Sequence, residues 1–171
     1  MNQRLTASFF RNDVLDVAPQ LLGKKIVRVY PDGKYFEYII TETEAYRGED
    51  DLACHASKGR TPRTETMYLD GGHIYVYLIY GMYWMLNFVT SVPNNPQAVL
   101  IRGVEGLAGP GKLTKQMGID KSFNRQNLDI SDNLFVTEGL YKTNFITAPR
   151  VGINYAGDYW KNVPWRFILK P

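Results

Sequence analysis

The stretch from Gly72 to Asn87 contains no Asp, Glu, Lys or Arg, is rich in tyrosine, and is interrupted only by Gly81. Such a run is a membrane span, a buried core element, or a hairpin that displays aromatic rings. Length argues against the span: Ile74 to Val89 is 16 residues, short of the roughly 20 that a membrane-crossing helix needs. Pattern argues for the hairpin. Tyr75, Tyr77 and Ile79 alternate with Ile74, Val76, Leu78 and Tyr80, which is the period of a strand. β-branched and aromatic side chains suit a pleated surface. Tyr80-Gly81 then falls where a tight turn wants glycine at positive φ. The expectation is two antiparallel strands with Tyr80 at the tip.

The remaining 155 positions must bury one face of that hairpin. At 171 residues and 44% hydrophobic content, the chain suits one domain with a real core, residues 1–171. The N-terminal segment has no apolar stretch of the kind that directs secretion. Cys54 is the only cysteine, so an intrachain disulfide and a multi-cysteine zinc site are excluded. A cytoplasmic protein is expected. Charge is uneven: residues 101–171 hold ten Lys/Arg against six Asp/Glu, whereas residues 1–100 hold ten against eleven. A mildly basic half can face phosphates, and an ordinary solvated surface explains the same numbers.

Asp13 is placed to cap a helix over residues 14–22, with Gly23 as its stop and Pro19 late inside it. Strands are predicted over Lys25 to Tyr30 and Tyr35 to Tyr46, joined by a turn at Pro31-Asp32-Gly33. Unbroken alternation puts Tyr38, Ile40, Glu42, Glu44 and Tyr46 on one face. Residues 47–66 read as a long polar loop. A strand from Gln97 to Glu105 leads through Gly106–Lys112 to a helix near Leu113. The rest reads as short strands, at 134–136 and 165–169, joined by loops. The fold class expected is α+β: a single domain, a curved and mainly antiparallel sheet, a protruding β-hairpin and a few short helices.

Glu44 is the leading candidate for chemistry. It ends an apolar strand with Tyr46 two residues on, and a carboxylate among apolar neighbours holds protons more tightly and can act as a general base. Glu42 competes for the role, and an exposed strand-end glutamate is the plainer reading. His55 beside Cys54 makes no metal site, because the only other histidine is His73. A Cys54–His55 dyad is disfavoured, since neighbours on a strand point to opposite faces. Gly106 to Lys112 is close to a nucleotide-binding loop, but Leu113 stands where the metal-binding hydroxyl belongs. One phosphate at the following helix N-terminus, helped by Lys112, remains compatible with it.

Taken in order, several short segments resemble the alkyladenine (3-methyladenine) DNA glycosylase family. They are Glu42-Thr43-Glu44-Ala45-Tyr46, Ala53-Cys54-His55, Thr61-Pro62-Arg63, the hairpin from Tyr75 to Tyr83 with Asn87, and Val99-Leu100-Ile101-Arg102. Gly109-Pro110-Gly111-Lys112-Leu113, Pro149-Arg150-Val151-Gly152 and Pro164-Trp165-Arg166-Phe167 complete the series. Each is weak alone; the ordered set is specific. The resemblance implies an enzyme that excises alkylated or deaminated purines from double-stranded DNA, working as a monomer without metal or other cofactor. It implies that Glu44 activates water, and that Arg102 and the carbonyl of Val151 help hold that water. Tyr46 and His55 would face one side of a flipped base and Tyr77 the other. Asn87 would exclude guanine's amino group, and Tyr80 would fill the gap left in the duplex. Met82, Gly111 and Lys112 match contacts on the phosphate side. The alternative is a catalytically inactive binder of damaged DNA with the same fold, against which the presence of both Glu44 and Arg102 argues. The sequence departs from the pattern in a short loop between His55 and Thr61. Thr64 stands where asparagine is common, Gly111 where a hydroxyl residue occurs, and the chain ends soon after Phe167.

Overall fold

A computed structural model describes residues 2–140 and 143–171. The elements run α1 (Ala7–Phe10), α2 (Val14–Gln20), β1 (Lys25–Val29), β2 (Tyr35–Arg47), β3 (Ile74–Ile79), β4 (Tyr83–Val89), β5 (Gln97–Val104) and β6 (Leu107–Ala108). They continue with α3 (Pro110–Met117), β7 (Leu134–Thr137), β8 (Phe145–Ala148), α4 (Gly157–Asn162) and β9 (Arg166–Leu169). All strand pairs are antiparallel, and the order is β3-β4-β5-β2-β1-β7. β6 pairs with β5, β9 with the second half of β2, and β8 with β9. This is the expected α+β class, with an open sheet and short helices.

The local signals act as their chemistry requires. The Asp13 side chain accepts from the Leu15 amide at 2.9 Å and starts α2. Gln97, the first residue of β5, accepts from the Val14 amide at 2.8 Å and so ties that helix to the sheet. α3 begins at Pro110 rather than near Leu113, because proline at the first helical position forfeits an amide that has no helical partner anyway. β8 and α4 fall in segments expected to be loops, and α1 in a segment for which no element is expected. α1 is anchored by its buried Phe10, and β8 by its ladder with β9. Among the described residues no helix is long and apolar enough to cross a membrane.

The expected single face of β2 is corrected by the structure. Tyr38 and Ile40 pack on the main core, together with Ala45, and the Thr43 hydroxyl donates to Ala18 O of α2 at 2.9 Å. Glu44 and Tyr46 therefore lie on the other side. The change of side falls at an irregularity between Ile40 and Thr43, opposite Val104 and Ile101 of β5. There both strands exchange faces together, since Val104 and Ile101 also share the main core. β-bulges of this kind re-aim side chains next to functional sites. Below the sheet, α1, α2 and α3 bury Phe10, Val17 and Leu113 against β-strand residues such as Ile74, Phe88 and Ile101. Above it sits a smaller cluster containing Cys54, Met67 and Tyr75, with Tyr46 and Tyr77 on its margin.

Candidate active site

Cross-strand register assembles the upper face. Glu44 stands opposite Leu100, Leu100 opposite Asn87, and Asn87 opposite Tyr75. Directly opposed residues share a face, so one row across β2, β5, β4 and β3 carries a carboxylate, an amide and a phenol. Tyr46 and Tyr77 flank this row, each two residues along its own strand.

Glu44 is fully buried. Its Oε2 accepts from the Tyr46 hydroxyl at 2.6 Å and its Oε1 from the Val151 amide at 2.8 Å. Arg102 Nε lies 3.5 Å from Oε1. Burial raises the proton affinity of this carboxyl; Arg102, Tyr46, the Val151 amide and Arg150 each pull it back. A carboxylate has about four lone-pair sites, so both oxygens keep room for a further donor. Glu42 is occupied otherwise: its Oε1 accepts from Arg166 Nη1 at 2.9 Å and from Arg102 Nε at 3.3 Å. Burial and the neighbouring Glu44 lift the Tyr46 phenol well above its ordinary value, which keeps it a donor.

His55 opens a 3-10 turn, His55–Lys58, inside the long loop. Its Nδ1 lies 3.0 Å from the Tyr75 hydroxyl, and its ring meets Tyr77 edge-on with centroids 4.5 Å apart. Burial, with Arg63 and Lys58 nearby, pushes His55 down to about 4, so it is neutral at physiological pH. Stacked bases are separated by about 3.4 Å. A base entering between His55 and Tyr77 must therefore part the two rings. Cys54 is buried, and burial pushes its thiol up to about 12. It faces the small cluster rather than pairing with His55. Asn87 is buried and donates its amide to Tyr75 O at 3.2 Å and Met85 O at 3.4 Å.

The hairpin projects from this face. Ile79 O accepts from the Met82 amide at 3.2 Å, with φ of 54° at Tyr80 and 65° at Gly81. Positive φ at both central residues is the twist-matched type I′ turn. Tyr80 is 83% exposed and Met82 64%. A tyrosine held in the left-handed region at an open tip is strained backbone bearing an unburied ring. Gly111 and the exposed Lys112 occupy the first turn of α3, with Gly111 against Tyr83 at the tip end of β4. A Cβ at Gly111 would come within 2.9 Å of the Tyr83 ring, so glycine permits the helix to seat there. The Gly109 amide is already spent on Arg102 O at 2.9 Å, which leaves that loop less able to cradle a phosphate. Thr64 uses its hydroxyl to close its own loop, donating to Gly59 O at 3.0 Å and accepting from the Thr61 amide at 2.8 Å.

The structure thus brings Glu44, Arg102, Val151, Tyr46, His55, Tyr77 and Asn87 together on one side of the sheet, with Tyr80 and Met82 at the hairpin tip. Sequence reasoning did not single out Tyr75 as the partner of His55, nor Asp51 and Arg150. Those two form a fully buried ion pair at 2.6 Å beside Glu44. Arg150 was visible only as part of a motif, and the pair is separated by 99 positions.

Comparison with known proteins gives the family. Residues 8–171 match the family model described as Methylpurine-DNA glycosylase (MPG). A protein of Borreliella burgdorferi (strain ZS7), named "Putative 3-methyladenine DNA glycosylase", is 45% identical over 175 residues, covering 95% of this chain and 94% of that protein. Proteins with the same name from Methanocella arvoryzae and Rickettsia felis are 42% and 43% identical, covering 97% and 96% of this chain and 92% of each relative. With the match extending over nearly the whole chain, the protein belongs to the methylpurine-DNA glycosylase family.

Proposed function

We propose that this protein hydrolyses the N-glycosidic bond of alkylated or deaminated purines in duplex DNA, the class of 3-methyladenine, 7-methylguanine and hypoxanthine. The observation that carries this reading is the buried Glu44 carboxylate, oriented by Tyr46 and Val151 and faced by Arg102. A stacked base is out of reach of such a group, so the nucleotide must first be turned out, at a cost of a few kcal/mol. Tyr80 enters the vacated space as a wedge. The base lies against Tyr46, His55 and Tyr77, where stacking contributes roughly 1–3 kcal/mol. Asn87 stands at the wall where a 2-amino group would collide.

One water, held by Glu44, Arg102 and the Val151 carbonyl, attacks C1′. The C1′–N bond breaks with its electron pair leaving on the base, a C1′–O bond forms, and Glu44 takes the proton. Purines alkylated at N3 or N7 carry positive charge and leave as the neutral base; hypoxanthine starts neutral, leaves as an anion, and takes a proton from solvent to become the free base. The products are the free base and an abasic strand that is not cut. The protein acts as a monomer in the cytoplasm, and light scattering checks that state.

Incubating the protein with duplexes containing hypoxanthine or 3-methyladenine, and then assaying abasic sites, tests the reaction. Glu44→Gln should abolish excision, by about 10²–10⁴-fold or more, while leaving binding intact. Tight binding of damaged duplex without excision by the wild type would instead identify an inactive damage binder.

A further inference from the structure

Beside Glu44 lies a buried charge pair that the reaction above leaves without a role. Arg150 and Asp51 have side chains with no exposed surface. They meet as a parallel fork, Nη1 to Oδ2 at 2.6 Å and Nη2 to Oδ1 at 2.9 Å. Each partner also grips backbone. Arg150 Nη1 donates to Ala45 O at 2.9 Å, the residue between Glu44 and Tyr46. Asp51 accepts from the Arg47 and Ala53 amides, both at 3.0 Å. The guanidinium lies 4.9 Å from the Tyr46 ring centre and 5.1 Å from that of Trp165. The next residue, Val151, sends its amide to Glu44.

We propose that the Asp51–Arg150 pair is a positioning device for the water-activating site. It fixes Glu44, Tyr46 and the Val151 peptide relative to one another, and it touches neither base nor water. The inference rests on the glycosylase reading given above. Two stretches distant in sequence meet at this fork: residues 45–53, which run from the end of β2 into the loop leading to His55, and the loop carrying Val151. Stability alone is a poor reason for the arrangement, since well-packed apolar side chains often replace buried ion pairs without loss. The cost is visible here, because Arg150 Nε is buried with no hydrogen-bond partner among the described residues. Unsatisfied buried groups call for a reason beyond packing. What the rigid planar fork adds over an apolar plug or a lysine is geometry. Water held by Glu44 and by the Val151 carbonyl demands geometry, and a misplacement near 1 Å costs about 10²-fold in rate.

Two full-length variants test this. Asp51→Asn keeps the shape and removes the charge; Arg150→Lys keeps both charges and removes the fork. Single-turnover excision of hypoxanthine is measured with enzyme in saturating excess. Affinity is measured for a duplex carrying a tetrahydrofuran abasic analogue, and circular dichroism monitors folding at the assay temperature. The expected result is a rate lowered about 10²-fold with affinity within about threefold of wild type, since Tyr80, Met82 and Lys112 are untouched. A rate within about threefold of wild type in a folded variant overturns the proposal. So does a parallel fall of rate and affinity, or loss of folding in both variants, which assigns the pair to the core. Should wild type itself release no base while Glu44→Gln is equally silent, the glycosylase reading fails and takes this inference with it. An active wild type with active variants removes this inference alone.

Discussion

Replacing Tyr80 with asparagine should make the protein more stable and less able to act on paired lesions. Tyr80 has φ of 54° and is 83% exposed. An L-residue in the left-handed region costs roughly 1–2 kcal/mol, and asparagine followed by glycine is the pair that a type I′ turn favours. Little burial is given up, because the ring stands in solvent. The substitution should therefore stabilise by about 1 kcal/mol, which for a chain of this size raises Tm by about 2–4 °C. The same change removes the wedge. Excision of hypoxanthine from a normally paired duplex should fall, and the defect should shrink on a mispaired lesion, which is already easier to unstack. Calorimetric melting and single-turnover excision on the two duplexes give the answer. A lower Tm would refute the strain argument. A defect of equal size on both duplexes would refute the wedge.

Asn87→Ser should cost about 1 kcal/mol for the lost amide hydrogen bonds to Tyr75 O and Met85 O. It should also raise guanine release relative to hypoxanthine release, by up to about 10²-fold; an unchanged ratio in paired excision assays would remove Asn87 from substrate choice. Burial lifts Glu44 above its ordinary 4.5 and Arg102 draws it down, and Glu44 must be ionised to take a proton. The acid limb of the rate should thus lie above pH 4.5, and Arg102→Met should move it further up; a downward move contradicts the assignment. The His55 ring titrates near 4 when folded against 6.5 when free, so the unfolded chain binds the extra proton between those values. Stability should fall as pH drops from 6.5 to 4, by up to about 3 kcal/mol, and His55→Phe should flatten that part of the urea-stability profile. With its thiol near 12 and buried, Cys54 should resist a thiolate reagent at pH 8 until urea is added.

The hairpin was legible because its signals are local. Alternation over residues 74–80 and glycine after Tyr80 suffice to define two strands and a turn. The cap at Asp13 is equally local. What one strand's alternation could not reveal is the change of side between Ile40 and Thr43, since it depends on β5 turning at the same place. Glu44 was reached by the right residue types through the wrong geometry: it does not share a face with Ile40. Asp51 and Arg150 were opaque for a related reason. Each looks like an ordinary surface charge until folding carries it across 99 positions to the other. Tyr75 was hidden among equals, because nothing in the run distinguishes the tyrosine that meets His55 from those beside it.

The joint roll of β2 and β5 also sets what length changes the sheet can absorb. Ile40 opposes Val104 and Thr43 opposes Ile101, three residues on in each strand, so pairing is conserved while facing is exchanged. Losing one residue from β2 alone would either slip the ladder or turn Glu44 toward the apolar layer beneath. Gly103 sits at the crossing in tight quarters, as a Cβ there would meet Thr41 Oγ1 at 3.1 Å and Glu42 Cβ at 3.3 Å, and those side chains would have to give by a few tenths of an ångström. Insertions and deletions that this strand pair survives must therefore come as matched edits in both strands, even though more than fifty residues of chain separate them.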